Sequence, residues 1–130
     1  MIDQSVRSLL EDVVDTPLKL QLVLLFVEHQ QLRATAAQVA NRIYRDIWST
    51  REALRELAES GVLSETMTKE GPVYAFCPSC ELAEPIHRLV QCYNEPLERD
   101  RLHRTLREID GDASYRRAMR MGIAFESMSF

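Results

Sequence analysis

The chain has 130 residues, of which 45% are hydrophobic and 28% are charged, with only 4 glycines and 5 prolines. This size and composition predict one globular domain and exclude a disordered, collagen-like or low-complexity chain. The longest apolar run, Leu22 to Val27, is far shorter than the ~18 residues of a membrane span, and the N-terminus lacks the basic region of a signal peptide. We therefore expect a cytoplasmic protein whose 3 cysteines are reduced thiols.

The net charge of -4 is unevenly distributed along the chain. Residues 33–55 sum to +3 and residues 101–130 to +2, whereas the rest of the sequence is acidic. An acidic total argues against a protein that coats nucleic acid without specificity, so the position of the basic stretches matters more than the total.

Two helices are predicted at the start of the chain. Asp3 to Val14 has apolar residues at the spacing of one helical face. A second helix is predicted to follow, with Thr16 as its N-cap and Pro17 at its first position. Leu18 to Gln31 is apolar almost all round, as expected of a central core helix. A buried strand is the alternative, but this segment is too long for a strand and contains no glycine or proline.

The next two helices are predicted from their capping residues. Thr35 to Gln38 has the form of a capping box and begins a helix that runs to about Tyr44. Asp46 caps a fourth helix that runs through Ser60, and Gly61 ends it. The pattern predicts that one face of this fourth helix is buried, through Ile47, Thr50, Ala53, Leu54, Leu57 and Ala58. It predicts an exposed face with Trp48, Ser49, Arg51, Glu52 and Arg55.

After Gly61 the pattern changes to two short strands, VLSETM and VYAF, separated by a turn at Lys69 to Pro72. Ser79 can cap a further helix. Pro96 is expected to kink or divide that helix, and its apolar seam continues to Gly111. Residues 112–130 give no clear prediction of structure.

This order of elements, with the segment STREALRELAESGVLSE at its centre, resembles the winged helix-turn-helix of MarR-like and ArsR-like bacterial transcription regulators. The resemblance covers about residues 16–95. It implies a mainly α fold with a small two-stranded β-hairpin, in which residues 1–15 form an N-terminal helix, 16–79 the winged helix-turn-helix, 80–111 a helical dimerisation arm and 112–130 a tail. It also implies that Thr35 to Tyr44 is the supporting helix, Asp46 to Ser60 the recognition helix and Met67 to Val73 the tip of the wing.

The basic residues of residues 33–55 fit a DNA-reading role. Arg51 and Arg55 lie one turn apart on the predicted exposed face, and an arginine fork matches the O6 and N7 acceptors of guanine. Ser49, or the N–H groups at the helix start, could bind a phosphate. Contacts to the DNA backbone are predicted for Arg33, Arg42, Arg45 and Lys69. The alternative is that these arginines are solvated charges.

Two features favour a different function, a winged-helix module that binds only protein. The predicted wing has Lys69 beside Glu70 and no arginine. Trp48 lies on the outer side of the predicted recognition helix, where it would pack against the wing or the first segment, or belong to a partner surface. We therefore predict a DNA-binding regulator, with the protein-interaction module as the alternative.

Cys77 and Cys80 form a C-x-x-C motif at a strand-to-helix junction. A thiol at a helix start has a lowered pKa, so redox chemistry or metal binding with His87 is conceivable. A closed zinc site would need ligands from a second chain. We favour small buried structural thiols instead, and predict no metal and no cofactor. The chain contains none of the common catalytic motifs, so we expect no enzyme activity.

The apolar seam after the wing is longer than one small domain needs for its core, so we predict a homodimer. The first segment, with Val6, Leu10 and Val13, is its expected mate. The alternative is that the arm folds back onto the second helix of its own chain. The predicted interface residues are Leu82, Ile86, Leu89, Tyr93, Leu97, Leu102 and Leu106.

Overall fold

The structure, a computed structural model, describes residues 4–111. This part of the chain is mainly helical and contains a small three-stranded antiparallel sheet. In chain order the elements are α1 (Gln4–Asp12), α2 (Pro17–Glu28), β1 (Arg33–Thr35), α3 (Ala36–Ile43), α4 (Ile47–Glu59), β2 (Leu63–Thr68), β3 (Gly71–Phe76), α5 (Cys80–Asn94) and α6 (residues 96–111). The predicted tail at residues 112–130 lies outside the described residues.

Three helix starts have the predicted side-chain caps, whereas the Ser79 side chain makes no capping bond at the start of α5. The Thr16 side chain accepts a hydrogen bond from the Lys19 N–H at 3.1 Å, with Pro17 at the first turn of α2. Both bonds of the capping box between Thr35 and Gln38 are present. These local hydrogen bonds satisfy donors that the first turn of a helix leaves free, which is why the sequence could place the helix starts.

The sheet differs from the predicted two-stranded hairpin, because β1 adds a third strand. Its order is β1-β3-β2, so β3 is central, and Tyr74 of β3 pairs with Ala34 on one side and Glu65 on the other. The β1 strand has only three residues. That length is too short to give an alternating pattern, and its partner lies about forty residues away, so no local pattern indicates it.

The core is one cluster of buried side chains from all six helices of residues 4–111 and from the sheet. Leu22, Val23 and Phe26 of α2 are fully buried, as are Leu54 and Leu57 of α4. A helix that is apolar all round is expected at such a central place.

The residues of the predicted dimer interface belong mostly to this core. Ile86, Leu89, Leu102 and Leu106 are buried within one chain, Leu82 and Tyr93 are partly buried, and Leu97 is exposed. Helix α1 of the same chain packs against α5, in the place predicted for a second copy. A dimer through this whole seam would require the arm to leave the core of its own chain.

Pro96 divides the arm, as predicted: α5 ends at Asn94 and α6 begins at residue 96. The Arg99 side chain fixes the join, because its Nε donates to the Tyr93 carbonyl at 2.6 Å and its guanidinium lies 4.7 Å from the Tyr93 ring centroid. Within residues 4–111, no helix has both the length and the apolar character required to cross a membrane.

Candidate functional site

The candidate site is the exposed side of α4, and three features position it. Helix α4 packs against α3 and α2 and is followed by β2. Tyr44 ends α3 in the left-handed conformation, at φ 57°, and its N–H bonds the Ala40 carbonyl. Asp46 caps α4, and Gly61 beyond its end has φ +93°, a conformation that suits glycine.

The two faces of α4 are those that the sequence predicts. Thr50, Ala53, Leu54 and Leu57 are buried, and Ile47 and Ala58 are partly buried. The outer residues are all exposed: Trp48, Ser49, Arg51, Glu52 and Arg55. Helix α4 therefore presents a polar, arginine-bearing face to solvent while its opposite face is held in the core.

A groove of about 490 Å³ separates α4 from the β2–β3 hairpin. Arg51 and Arg55 line its α4 side, and Glu65, Glu70 and Tyr74 line its hairpin side. The Tyr74 hydroxyl donates to the Glu65 carboxylate at 2.8 Å. Burial, followed by this bond to Glu65, raises the pKa of Tyr74 to about 12. The groove thus has a cationic wall and an acidic wall.

Arg51 is held by an aromatic ring. Its guanidinium carbon lies 5.1 Å from the Trp48 ring centroid, within the range of a cation–π contact. Trp48 itself is 72% exposed. The expectation that Trp48 packs against the hairpin or the first segment is therefore wrong, because the ring faces solvent and contacts Arg51.

Among residues 4–111, Arg55 forms two long ion pairs, at 3.7 Å to Glu52 and 3.9 Å to Glu59. All three side chains are exposed, and exposed pairs of this kind contribute only ~0.2–1 kcal/mol. Arg55 can therefore exchange these carboxylates for another anion at little cost.

The other predicted basic residues surround this face without forming one cluster with it. Arg42 donates to His29 Nε2 at 3.3 Å. Arg45 is exposed directly before α4, and Arg33 is exposed on β1. Lys69 is exposed at the tip of the hairpin, beside Glu70. Helix α4 itself carries Glu52, Glu56 and Glu59 beside its two arginines, so α4 and the hairpin are both mixed in charge.

One donor at the start of α4, where the sequence predicts a phosphate contact through Ser49 or the N–H groups, is already bonded within the chain. The Asp46 carboxylate accepts from the Ser49 N–H at 2.8 Å. This bond is the largest of the effects that lower the pKa of Asp46, followed by a bond to the Ser49 side chain and, after smaller effects, by the charge of Arg45. A phosphate at this place would compete with the Asp46 carboxylate for the Ser49 N–H and would be repelled by its charge.

Sequence reasoning missed the buried Lys19 on α2. Its ammonium group forms ion pairs with Asp15, at 2.8 Å, and with Glu56 of α4, at 2.5 Å. The available signal was a single lysine in an otherwise apolar helix, four residues after an aspartate. This contact fixes α4 against α2.

The cysteines also differ from expectation. Cys77 and Cys80 are exposed, and Cys92 is partly buried, so the interpretation as small buried structural thiols is wrong for the C-x-x-C motif. The motif follows the end of β3 at the surface, where the chain turns into α5. Among the described residues, no group of three or more His, Cys, Asp or Glu side chains is placed to hold a metal ion.

Comparison of the chain with protein-family models, with curated proteins and with solved structures found no match.

Proposed function

We propose that the chain is a cytoplasmic transcription regulator that binds double-stranded DNA through a winged helix-turn-helix in residues 16–79. In this proposal α3 supports α4, α4 is the recognition helix and the β2–β3 hairpin is the wing. The observation that carries the proposal is the placement of Arg51 and Arg55 on the solvent face of a helix whose opposite face is buried.

A recognition helix needs side chains that reach base edges from a fixed backbone. Arg51 and Arg55 are one turn apart and both line the open groove beside α4. Each carries a planar fork of donors that fits guanine O6 and N7. Trp48 restricts the rotation of Arg51, so less conformational entropy is lost when that side chain binds.

The surrounding charges define how such a complex would form. We expect Arg42 and Arg45, which are exposed just before α4, to contact phosphates. Glu65 and Glu70 of the hairpin would repel them, so we expect the wing to contribute little to affinity. Binding through so few cations should be strongest at low salt.

The test is a mobility-shift assay with pooled genomic fragments at low salt, comparing Arg51→Ala and Arg55→Ala with the wild type. An arginine that reads guanine should lose ~1–3 kcal/mol on replacement, about 5- to 150-fold in affinity, and the preference at one base pair should relax. Arg101→Ala is the matched control, because it removes an exposed arginine of α6 that is paired with a glutamate. Binding that is equal in all four proteins would reject the assignment.

A specific observation favours the alternative, a module that binds protein. Large side chains are exposed at Tyr44 before α4, at Trp48 on α4 and at Met67 on β2. Tryptophan and tyrosine are enriched among the residues that dominate protein interfaces. If no DNA shifts even at low salt, the protein-binding module becomes the better account.

A homodimer remains part of the proposal, although most of its predicted interface is buried within one chain. Leu97, 74% exposed on α6, is the seam residue left available for a second copy. A two-fold dimer would place two α4 helices on half-sites about 34 Å apart. A monomeric mass by light scattering at micromolar concentration would reject it.

A further inference from the structure

Two aromatic side chains stand out of the surface where α3 turns into α4. Tyr44 is 94% exposed and Trp48 is 72% exposed. They are four residues apart, so their Cα atoms are at most ~14 Å from each other. Side chains that read base edges in a duplex groove do so with paired hydrogen bonds, and large aromatic rings are not needed for this. The two aromatics therefore call for a partner that the proposed recognition by Arg51 and Arg55 does not include.

The backbone holds Tyr44 in an uncommon conformation. Its φ of 57° makes it the one non-glycine residue with positive φ among residues 4–111. The left-handed region is uncommon for a bulky side chain without a local hydrogen-bonding group. The turn thus directs a large ring into solvent at a fixed place, directly before the start of α4.

Positive charge accompanies both rings. Arg45 follows Tyr44 and is exposed, and the guanidinium of Arg51 lies 5.1 Å from the Trp48 ring centroid. The nearby carboxylate of Asp46 is bonded to the start of α4. We call Tyr44, Arg45, Trp48 and Arg51 the aromatic–arginine strip.

We propose that the aromatic–arginine strip binds single-stranded nucleic acid, with unpaired bases stacked on Tyr44 and Trp48 and phosphates paired with Arg45 and Arg51. Exposed aromatic rings interleaved with arginines are what an unpaired strand requires, since every base has a π face and every nucleotide a negative charge. An acidic peptide would satisfy the arginines but would leave both rings without a stacking partner. The strip therefore fits a strand of bases better than an acidic segment of protein.

This activity goes beyond duplex recognition, and the two can be separated experimentally. Arg55 lies outside the strip, so Arg55→Ala should weaken duplex binding and leave single-strand binding unchanged. Tyr44→Ala should do the reverse. If Arg55→Ala leaves duplex binding unchanged while Tyr44→Ala weakens single-strand binding, the duplex proposal alone fails.

Trp48 is the single tryptophan of the chain, so its fluorescence reports directly on the strip. The probe is an oligothymidylate of about ten nucleotides, within the site sizes of single-strand-binding domains. An abasic oligonucleotide of the same length keeps the phosphates and lacks the bases. Poly-glutamate provides negative charge but has neither phosphates nor bases.

We expect the oligothymidylate to quench Trp48 fluorescence at low salt, and the abasic strand and poly-glutamate, which can reach only the arginines, to quench it much less. Tyr44→Ala should weaken binding about 5- to 150-fold, the loss expected for one stacked base, whereas Tyr44→Phe should bind as the wild type does. Leu97→Ala, which truncates an exposed apolar residue of α6, is the control and should also bind as the wild type does.

Any of four results would overturn the proposal. Equal quenching by the abasic strand would mean that phosphate attraction alone accounts for binding. Equal quenching by poly-glutamate would assign the strip to an acidic partner. No quenching by the oligothymidylate, or equal affinity of Tyr44→Ala and the wild type, would show that the rings do not stack on bases.

Discussion

Replacing the buried lysine of α2 should destabilise the whole fold, because Lys19 fixes the position of α4. Only 8% of its side chain is exposed, and its ammonium group lies between the carboxylates of Asp15 and Glu56. Lys19→Met keeps a long apolar chain and removes the charge. It leaves two carboxylates without their shared cation in a poorly solvated place.

The exposure of the two carboxylates sets the magnitude. Breaking a fully buried ion pair costs ~3–5 kcal/mol. The side chains of Asp15 and Glu56 are 19% and 31% exposed. Water can therefore still solvate both carboxylates, which lowers the cost of removing the lysine. We therefore expect Lys19→Met to lower the free energy of unfolding by about 2–3 kcal/mol, which for a chain of this length lowers Tm by roughly 8–12 °C.

Urea unfolding followed by circular dichroism measures this change, with the midpoint expected to fall and the slope m to stay constant. Arg7→Met is the matched control, because Arg7 and Glu11 form a 2.9 Å pair of the same spacing but are 49% and 47% exposed. That control should cost less than about 0.5 kcal/mol. A Lys19→Met variant as stable as the wild type would refute the reasoning and mean that apolar packing fully replaces the ion pairs.

Three other side chains give separate expectations. The Thr50 hydroxyl is buried with no hydrogen-bond partner, so Thr50→Val should raise the free energy of unfolding by about 1 kcal/mol, measured by urea unfolding; a loss would mean that the hydroxyl is satisfied. Because the pKa of Tyr74 is raised in the folded protein, its contribution to the free energy of unfolding is complete below pH 10 and is lost as pH rises through about 12. Tyr74→Phe should abolish that dependence in alkaline thermal melts. The pKa of Asp46 is lowered in the folded protein, so its contribution to the free energy of unfolding is present above about pH 4 and is lost as pH falls through the folded pKa. Asp46→Asn should keep the cap, remove that acid dependence and tighten duplex binding by removing a negative charge, whereas unchanged affinity would place DNA away from the helix start.

Local chemistry explains what could be predicted from the sequence. The caps at Thr16, Thr35 and Asp46 satisfy backbone donors within three residues, and the faces of α4 follow from a helical period. Information of this kind lies within a single segment. The bounds and the orientation of α4, and with them the exposed Arg51 and Arg55, therefore followed from the sequence.

Several of the errors concern contacts between distant segments. The apolar seam containing Ile86 and Leu102 was predicted from its spacing, but spacing does not say which surface covers it, and α1 of the same chain packs against α5 there. Strand β1 depends on a partner far along the chain. The burial of Lys19 likewise depends on Glu56, which arrives from another helix.

The most direct test of DNA binding through α4 is the salt dependence of affinity for a duplex recovered from the genomic pool. We expect log affinity to fall linearly with log salt concentration, with a slope of about -0.9 for each phosphate neutralised. We also expect the Arg51→Ala, Arg55→Ala double variant to bind at least about tenfold more weakly at every salt concentration. An affinity that does not change with salt, or a double variant that binds as tightly as the wild type, would contradict the assignment of α4 as the DNA-reading element.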